Sequence, residues 1–193
     1  MPKTFRFGMS FAIIIGFISY YFVVISTNQF EPSYALPFHL CPLMQLFTLY
    51  ALMKDKRNWI EAIVYPLIIG PTLALLFPVG TFHLGGFFTY YFVYYHVLLI
   101  LTGCIVLWWM RFSTTRKHII SGALFIFVCD LIALPINFLT NGNYMFIGAP
   151  IILPPLAYYL TLFVFVWVFL IVFHLLVKGA RGTRNYVKAH LNV

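Results

Sequence analysis

Side chains that can carry acid–base or nucleophilic chemistry interrupt a chain that is otherwise mostly apolar. His39, Cys41, His96 and Asp130 place two imidazoles, a thiol and a carboxylate within apolar stretches. Ionisable groups at membrane depth are costly and usually face a bundle interior, so they mark candidate sites. A thiolate is a competent nucleophile when a base takes its proton, and a carboxylate can orient that base. We therefore predict Cys41, His96 and Asp130 as the residues of a catalytic site.

Further polar residues lie near this set along the chain and are candidates for substrate binding. Gln45 follows Cys41 by four residues and Asn137 follows Asp130 by seven, so each pair shares a helical face. At ~1.5 Å per residue, these groups lie within roughly 15 Å of one membrane surface. The predicted substrate-binding residues are His39, Gln45, Asn137, Asn143 and Tyr144.

The spacing of His39 and Cys41 sets a geometric condition on such a site. Two residues apart on a regular helix, their side chains project about 200° from each other. Both can face one cavity only if Pro37 or Pro42 disturbs the turn.

Other interpretations of the same residues stay open. A buried cysteine is more often a small apolar side chain than a nucleophile, and His39 can simply reach lipid headgroups. A carrier with His96 and Asp130 as a proton relay, or a non-catalytic membrane subunit, is the alternative function. Paired histidines at a fixed helical spacing are missing, so we expect no metal and no cofactor.

The elements that would position these groups are long apolar segments. Of 193 residues, 63% are hydrophobic and 8% charged, a composition that indicates lipid rather than water as the main solvent. We predict an all-α, polytopic membrane helix bundle of about six transmembrane helices, forming one domain over residues 1–193. The predicted spans are about 7–26, 35–53, 59–77, 87–110, 118–138 and 152–177.

The basic residues predict the orientation of this bundle. All 12 fall on one side of the six-span arrangement: Lys3, Arg6, Lys54, Lys56, Arg57, Arg111, Arg116, Lys117, Lys178, Arg181, Arg184 and Lys188. The positive-inside rule then gives a multi-pass protein of the cell membrane with both termini cytoplasmic. Topology explains the net charge of +8, so we expect membrane lipids and no nucleic acid as partners. A homo-oligomer or a membrane partner subunit is left open.

Two short segments carry a resemblance to a known family. The Leu-Pro-Phe-His-Leu-Cys-Pro-Leu segment at 36–43 and the Gly-Asn-Tyr-Met-Phe-Ile segment at 142–147, with Pro150 following, resemble the YwaF-type bacterial membrane proteins. The segment from Gly70 to Pro78 and His96 in its aromatic-rich span support it. That family is related to the transmembrane protein 164 family, for which a cysteine- and histidine-dependent phospholipid acyltransferase activity is proposed. The resemblance implies a lipid-directed acyltransferase or hydrolase with its site in the outer half of the membrane, with Cys41 as the nucleophile and His96 as the base.

Overall fold

The structure, a computed structural model, describes residues 1–78, 86–109, 115–148 and 154–191. Within these ranges the secondary structure is helical and without strands, which confirms the all-α prediction. A π-helical turn at Ile105–Trp109 continues α5, and a 3₁₀ turn at Tyr144–Phe146 follows α6. The helices are α1 (Lys3–Ser26), α2 (Leu40–Met53), α3 (Arg57–Ala62), α4 (Val64–Leu76), α5 (Gly86–Cys104), α6 (Lys117–Thr140) and α7 (Pro155–Leu191).

Four of the helical segments in the described part of the chain are long and apolar enough to cross a membrane. They are Lys3–Ser26, Gly86–Trp108, Lys117–Thr140 and Pro155–Arg181. The apolar helices α2 and α4 have 14 and 13 residues, which is fewer than the ~20 of a full crossing. The structure therefore establishes a multi-pass helical membrane protein, whereas helix length alone does not establish the predicted number of six spans.

Two predicted spans differ from the observed helices, and proline chemistry explains the break in the second of them. The span predicted at 35–53 becomes helical only at Leu40, and the span predicted at 59–77 is broken at Ile63. Pro66 has no N–H group to donate to the carbonyl of Ala62, four residues earlier. That carbonyl instead accepts a hydrogen bond from the Ser121 hydroxyl of α6 at 2.8 Å. The break thus ties α3 to α6. Residues 110, 152 and 153 of the predicted spans lie outside the described residues.

The apolar core lies where α1, α2, α4 and α5 meet. Met44, Leu67 and Leu99 are fully buried there, and α4 and α5 approach closely because Gly103 faces Ile68. By contrast, α6 and α7 keep most of their large apolar side chains exposed, as expected for surfaces that contact lipid. These two helices pack against α4 and against each other. A cavity lies between them and the core helices.

Candidate functional site

One cavity of about 1130 Å³ contains the predicted catalytic residues in its lining. Cys41 reaches it from α2, His96 from α5 and Asp130 from α6, and His39 lines it as well. The wall also includes residues of α1, α4 and α7 and is mainly aromatic and aliphatic. Among the described lining residues, Asp130 is the only one with a carboxylate, and none is a lysine or arginine. The cavity is therefore suited to an apolar molecule with a small polar part.

Cys41 lies at the start of α2, where the N–H groups of Leu40 and Cys41 have no acceptor among the described backbone groups. It is 8% exposed and is the second residue of the helix. Leu40 and Cys41 belong to the first turn of the helix, whose N–H groups have no helical carbonyl four residues earlier to accept them. Pro42 has no N–H group, and no side chain caps this end of the helix. A helix N-terminus favours negative charge, which offsets part of the cost that burial of Cys41 adds to a thiolate. The same N–H groups can donate to an oxyanion.

His96 is oriented by the backbone of its own helix. Its side chain is 1% exposed, and its Nδ1 lies 2.7 Å from the carbonyl oxygen of Phe92. Because a carbonyl oxygen only accepts, Nδ1 must carry the hydrogen of the neutral ring. Nε2 then holds the lone pair, and no described residue donates a hydrogen bond to it. His96 is thus held in the tautomer that a general base at Nε2 requires.

His39 faces the same cavity because it is not helical. It precedes α2 with φ −74° and ψ 158°, an extended conformation, so the separation of about 200° that a regular helix imposes does not apply. Its Nδ1 accepts a hydrogen bond from the backbone N–H of Met145 at 3.3 Å. The extended chain before α2 therefore allows His39 and Cys41 to face one cavity although they are only two residues apart.

Asp130 does not occupy the position of a triad carboxylate. The His96 nitrogen that such a carboxylate would orient is bonded to the Phe92 carbonyl instead. The Asp130 carboxylate, half-buried in the cavity wall, forms no salt bridge or hydrogen bond with a described residue. The Phe92 carbonyl, rather than Asp130, therefore orients the imidazole of His96. The Asp130 carboxylate remains available to a substrate.

Three of the residues predicted to bind substrate instead form hydrogen bonds within the C-terminal end of α6 and the connection that follows it. The Asn137 side chain accepts from the Tyr144 N–H at 2.7 Å and donates to the Tyr144 carbonyl at 3.0 Å. The Asn143 side chain accepts from the N–H of Gly148 at 2.9 Å. Neither these residues nor the buried Gln45 are among the described lining of the cavity. We therefore leave Gln45, Asn137, Asn143 and Tyr144 out of the proposed site.

Sequence reasoning missed a row of tyrosines in the cavity wall. Tyr20 of α1 stacks on Tyr91 of α5 with ring centroids 4.8 Å apart, and Tyr91 lies 5.0 Å from Tyr95. The Tyr95 ring is in turn 4.0 Å from that of His96. The four-residue spacing of Tyr91 and Tyr95 is a signal that could have placed them on one helical face. These rings form a continuous aromatic row from His96 to Tyr20 of α1.

The described residues contain no group of three His, Cys, Asp or Glu side chains that could hold a metal ion.

The helices and this cavity are those of a membrane protein with a few polar side chains in an apolar cavity. Residues 2–177 match the model of the TMEM164 family, and the chain belongs to that family. Searches of curated proteins and of solved structures found no match to this chain.

Proposed function

We propose that this protein transfers or hydrolyses acyl chains of membrane lipids, with Cys41 as nucleophile and His96 as general base. The observation that carries the proposal is the tautomer of His96. Its Nδ1 is tied to Phe92, its Nε2 has no described partner, and His96 belongs to the lining that also contains Cys41. Helices α2 and α5 pack against each other, so the two residues lie on adjacent helices.

The first half of the reaction follows from these groups. His96 Nε2 takes the proton of the Cys41 thiol, and the thiolate attacks the carbonyl carbon of a lipid ester. The new carbon–sulfur bond forms and the carbon–oxygen bond to the glycerol oxygen breaks. That oxygen receives the proton from His96 and leaves as a lysolipid hydroxyl. Free N–H groups of Leu40 and Cys41 stabilise the intermediate oxyanion.

The second half returns the enzyme to its starting state. An alcohol, or water in hydrolysis, gives its proton to His96 as its oxygen attacks the thioester carbonyl. The carbon–sulfur bond breaks, and the thiolate recovers the proton from His96. We assign to Asp130 a hydrogen bond from the incoming hydroxyl, because a carboxylate in an apolar wall needs such a partner or a proton. The aromatic wall favours transfer by limiting water.

The function is tested with purified protein in vesicles of phospholipid that carries a labelled acyl chain. Cys41→Ser and His96→Gln should each lower the rate of acyl release or transfer by at least about 100-fold. Cys129→Ser is the matched control, because Cys129 is equally buried and is outside the cavity lining. Full activity of Cys41→Ser would rule out the proposal.

A carrier is the second candidate, and the length of the cavity favours it. The lining runs from Gln29 in the connection after α1 to Ile120, three residues into α6. From Ile120 to Asp130 it follows α6 for about 15 Å. A proton-coupled carrier would use Asp130 and His96 as the relay. It would retain transport in Cys41→Ser and lose it in Asp130→Asn.

A further inference from the structure

A set of hydrogen bonds connects the chain before α2 with the turn after α6. The Tyr144 hydroxyl donates to the Pro32 carbonyl at 2.6 Å and accepts from the Leu36 N–H at 3.0 Å. The next residue, Met145, donates its N–H to Nδ1 of His39 at 3.3 Å. The His39 ring also packs against Tyr144, with centroids 5.0 Å apart. The position of the imidazole is therefore set by two distant segments of the chain.

This contact also determines where His39 carries its hydrogen. Nδ1 accepts from Met145, so it must present a lone pair, and the one hydrogen of the neutral ring is on Nε2. No described residue accepts from that Nε2–H group, although His39 lines the cavity. His39 is thus a donor at Nε2, whereas His96 is an acceptor at Nε2. One cavity holds a histidine in each tautomer.

The backbone conformation of Met145 and Phe146 is energetically unfavourable. Met145 and Phe146 have φ angles of 58° and 59°, in the left-handed region that residues with a side chain rarely adopt. Such strain persists where the surroundings impose it and is frequent at functional sites. Here the strained residue supplies the N–H group that fixes the His39 tautomer.

We propose that His39 donates its Nε2–H to the carbonyl oxygen of the lipid ester as that oxygen gains negative charge. The inference rests on the proposed acyl transfer. His39 keeps its proton throughout, and the hydrogen bond joins those from the N–H groups of Leu40 and Cys41. The substrate class is an ester whose acyl carbonyl lies at the start of α2.

Two substitutions separate the donor from the structural contact. In His39→Asn the side-chain oxygen can still accept from Met145, but no atom reaches the position of Nε2. In His39→Gln the amide nitrogen reaches that position and can donate. We expect kcat to fall roughly 100- to 1,000-fold in His39→Asn with KM nearly unchanged, and His39→Gln to recover most of the rate. Equal rates in the two variants would overturn the inference.

The tautomers give a second measurement that needs no turnover. In protein labelled with ¹⁵N-histidine, His39 should show a protonated Nε2 and a bare Nδ1, and His96 the reverse. A protonated Nδ1 on neutral His39 would overturn the inference even in an active enzyme.

Wild-type protein that transfers no acyl group would refute the proposed function and this role with it. An active wild type with an equally active His39→Asn would refute the role of His39 alone.

Discussion

The side-chain amide of Asn137 pairs with both backbone groups of Tyr144, seven residues later in the chain. Its oxygen accepts from the Tyr144 N–H at 2.7 Å and its nitrogen donates to the Tyr144 carbonyl at 3.0 Å. The pair closes the turn that ends α6 and fixes Tyr144, whose hydroxyl reaches the chain before α2. The C-terminal end of α6 thereby positions the residues that lead to Cys41.

Replacing Asn137 should therefore destabilise the fold. Asn137→Ala leaves the N–H group of the buried Tyr144 without a partner, at about 1–3 kcal/mol, whereas the Tyr144 carbonyl still accepts from the N–H of Ile147 at 3.3 Å. Asn137→Asp keeps the acceptor for the N–H group and loses the donor, so its effect should be smaller. Thermal unfolding in detergent measures both. Equal unfolding temperatures for wild type and Asn137→Ala would show that the pair does not stabilise the turn.

A matched pair of glycine substitutions tests the packing of α4 on α5. A Cβ atom at Gly103 would lie 2.6 Å from Ile68 Cγ1, whereas one at Gly70 would lie 3.4 Å from the nearest atom, Leu40 Cδ2. Gly103→Ala should thus cost about 1–3 kcal/mol through overpacking. Gly70→Ala should be neutral or stabilising, because alanine favours the helix. Comparable unfolding temperatures for the two variants would contradict this description of the helix contact.

The N-terminal contacts of Asp55 predict a pH dependence. A hydrogen bond from the amino group of Met1 (3.2 Å) and the ion pair with Arg6 (2.8 Å) lower the pKa of the exposed Asp55 carboxyl. A lowered folded-state pKa stabilises the fold above the unfolded value of ~3.9, and this stabilisation is lost as the pH falls through the folded-state pKa. Asp55→Asn should show a shallower decline of the unfolding temperature below about pH 4. An unchanged decline would exclude Asp55 as its source.

The number and direction of crossings can be tested by labelling introduced cysteines in a cysteine-free background. With six spans and cytoplasmic basic connections, positions Asn28 and Asn141 should react from outside and Lys56 and Arg116 from the cytoplasm. The short α2 and the broken pair α3 and α4 complete the second and third crossings in this topology. Reaction of Asn141 from the cytoplasm would overturn it.

The helical class and the approximate helix positions could be predicted because apolar composition over ~20 residues reports directly on lipid as the solvent. The break at Ile63 could not be placed, since a proline kink frees a carbonyl whose partner, Ser121, lies far along the chain. Cys41 could be singled out because a residue with reactive chemistry within an apolar segment usually faces the interior of a helix bundle. The roles of Asn137 and Tyr144 did not, because a side chain that braces a turn has the same residue type as one that binds substrate.

During turnover, Cys41 should carry an acyl group as a thioester. Purified protein would be mixed with phospholipid vesicles, quenched in acid at short times and analysed by intact and peptide mass. We expect the mass of one acyl chain on Cys41, removable by hydroxylamine as a thioester is, absent from Cys41→Ser and present in Cys129→Ser. In His96→Gln the adduct should form at least about 100-fold more slowly. No adduct at any quench time, or an adduct that persists in Cys41→Ser, would contradict the account.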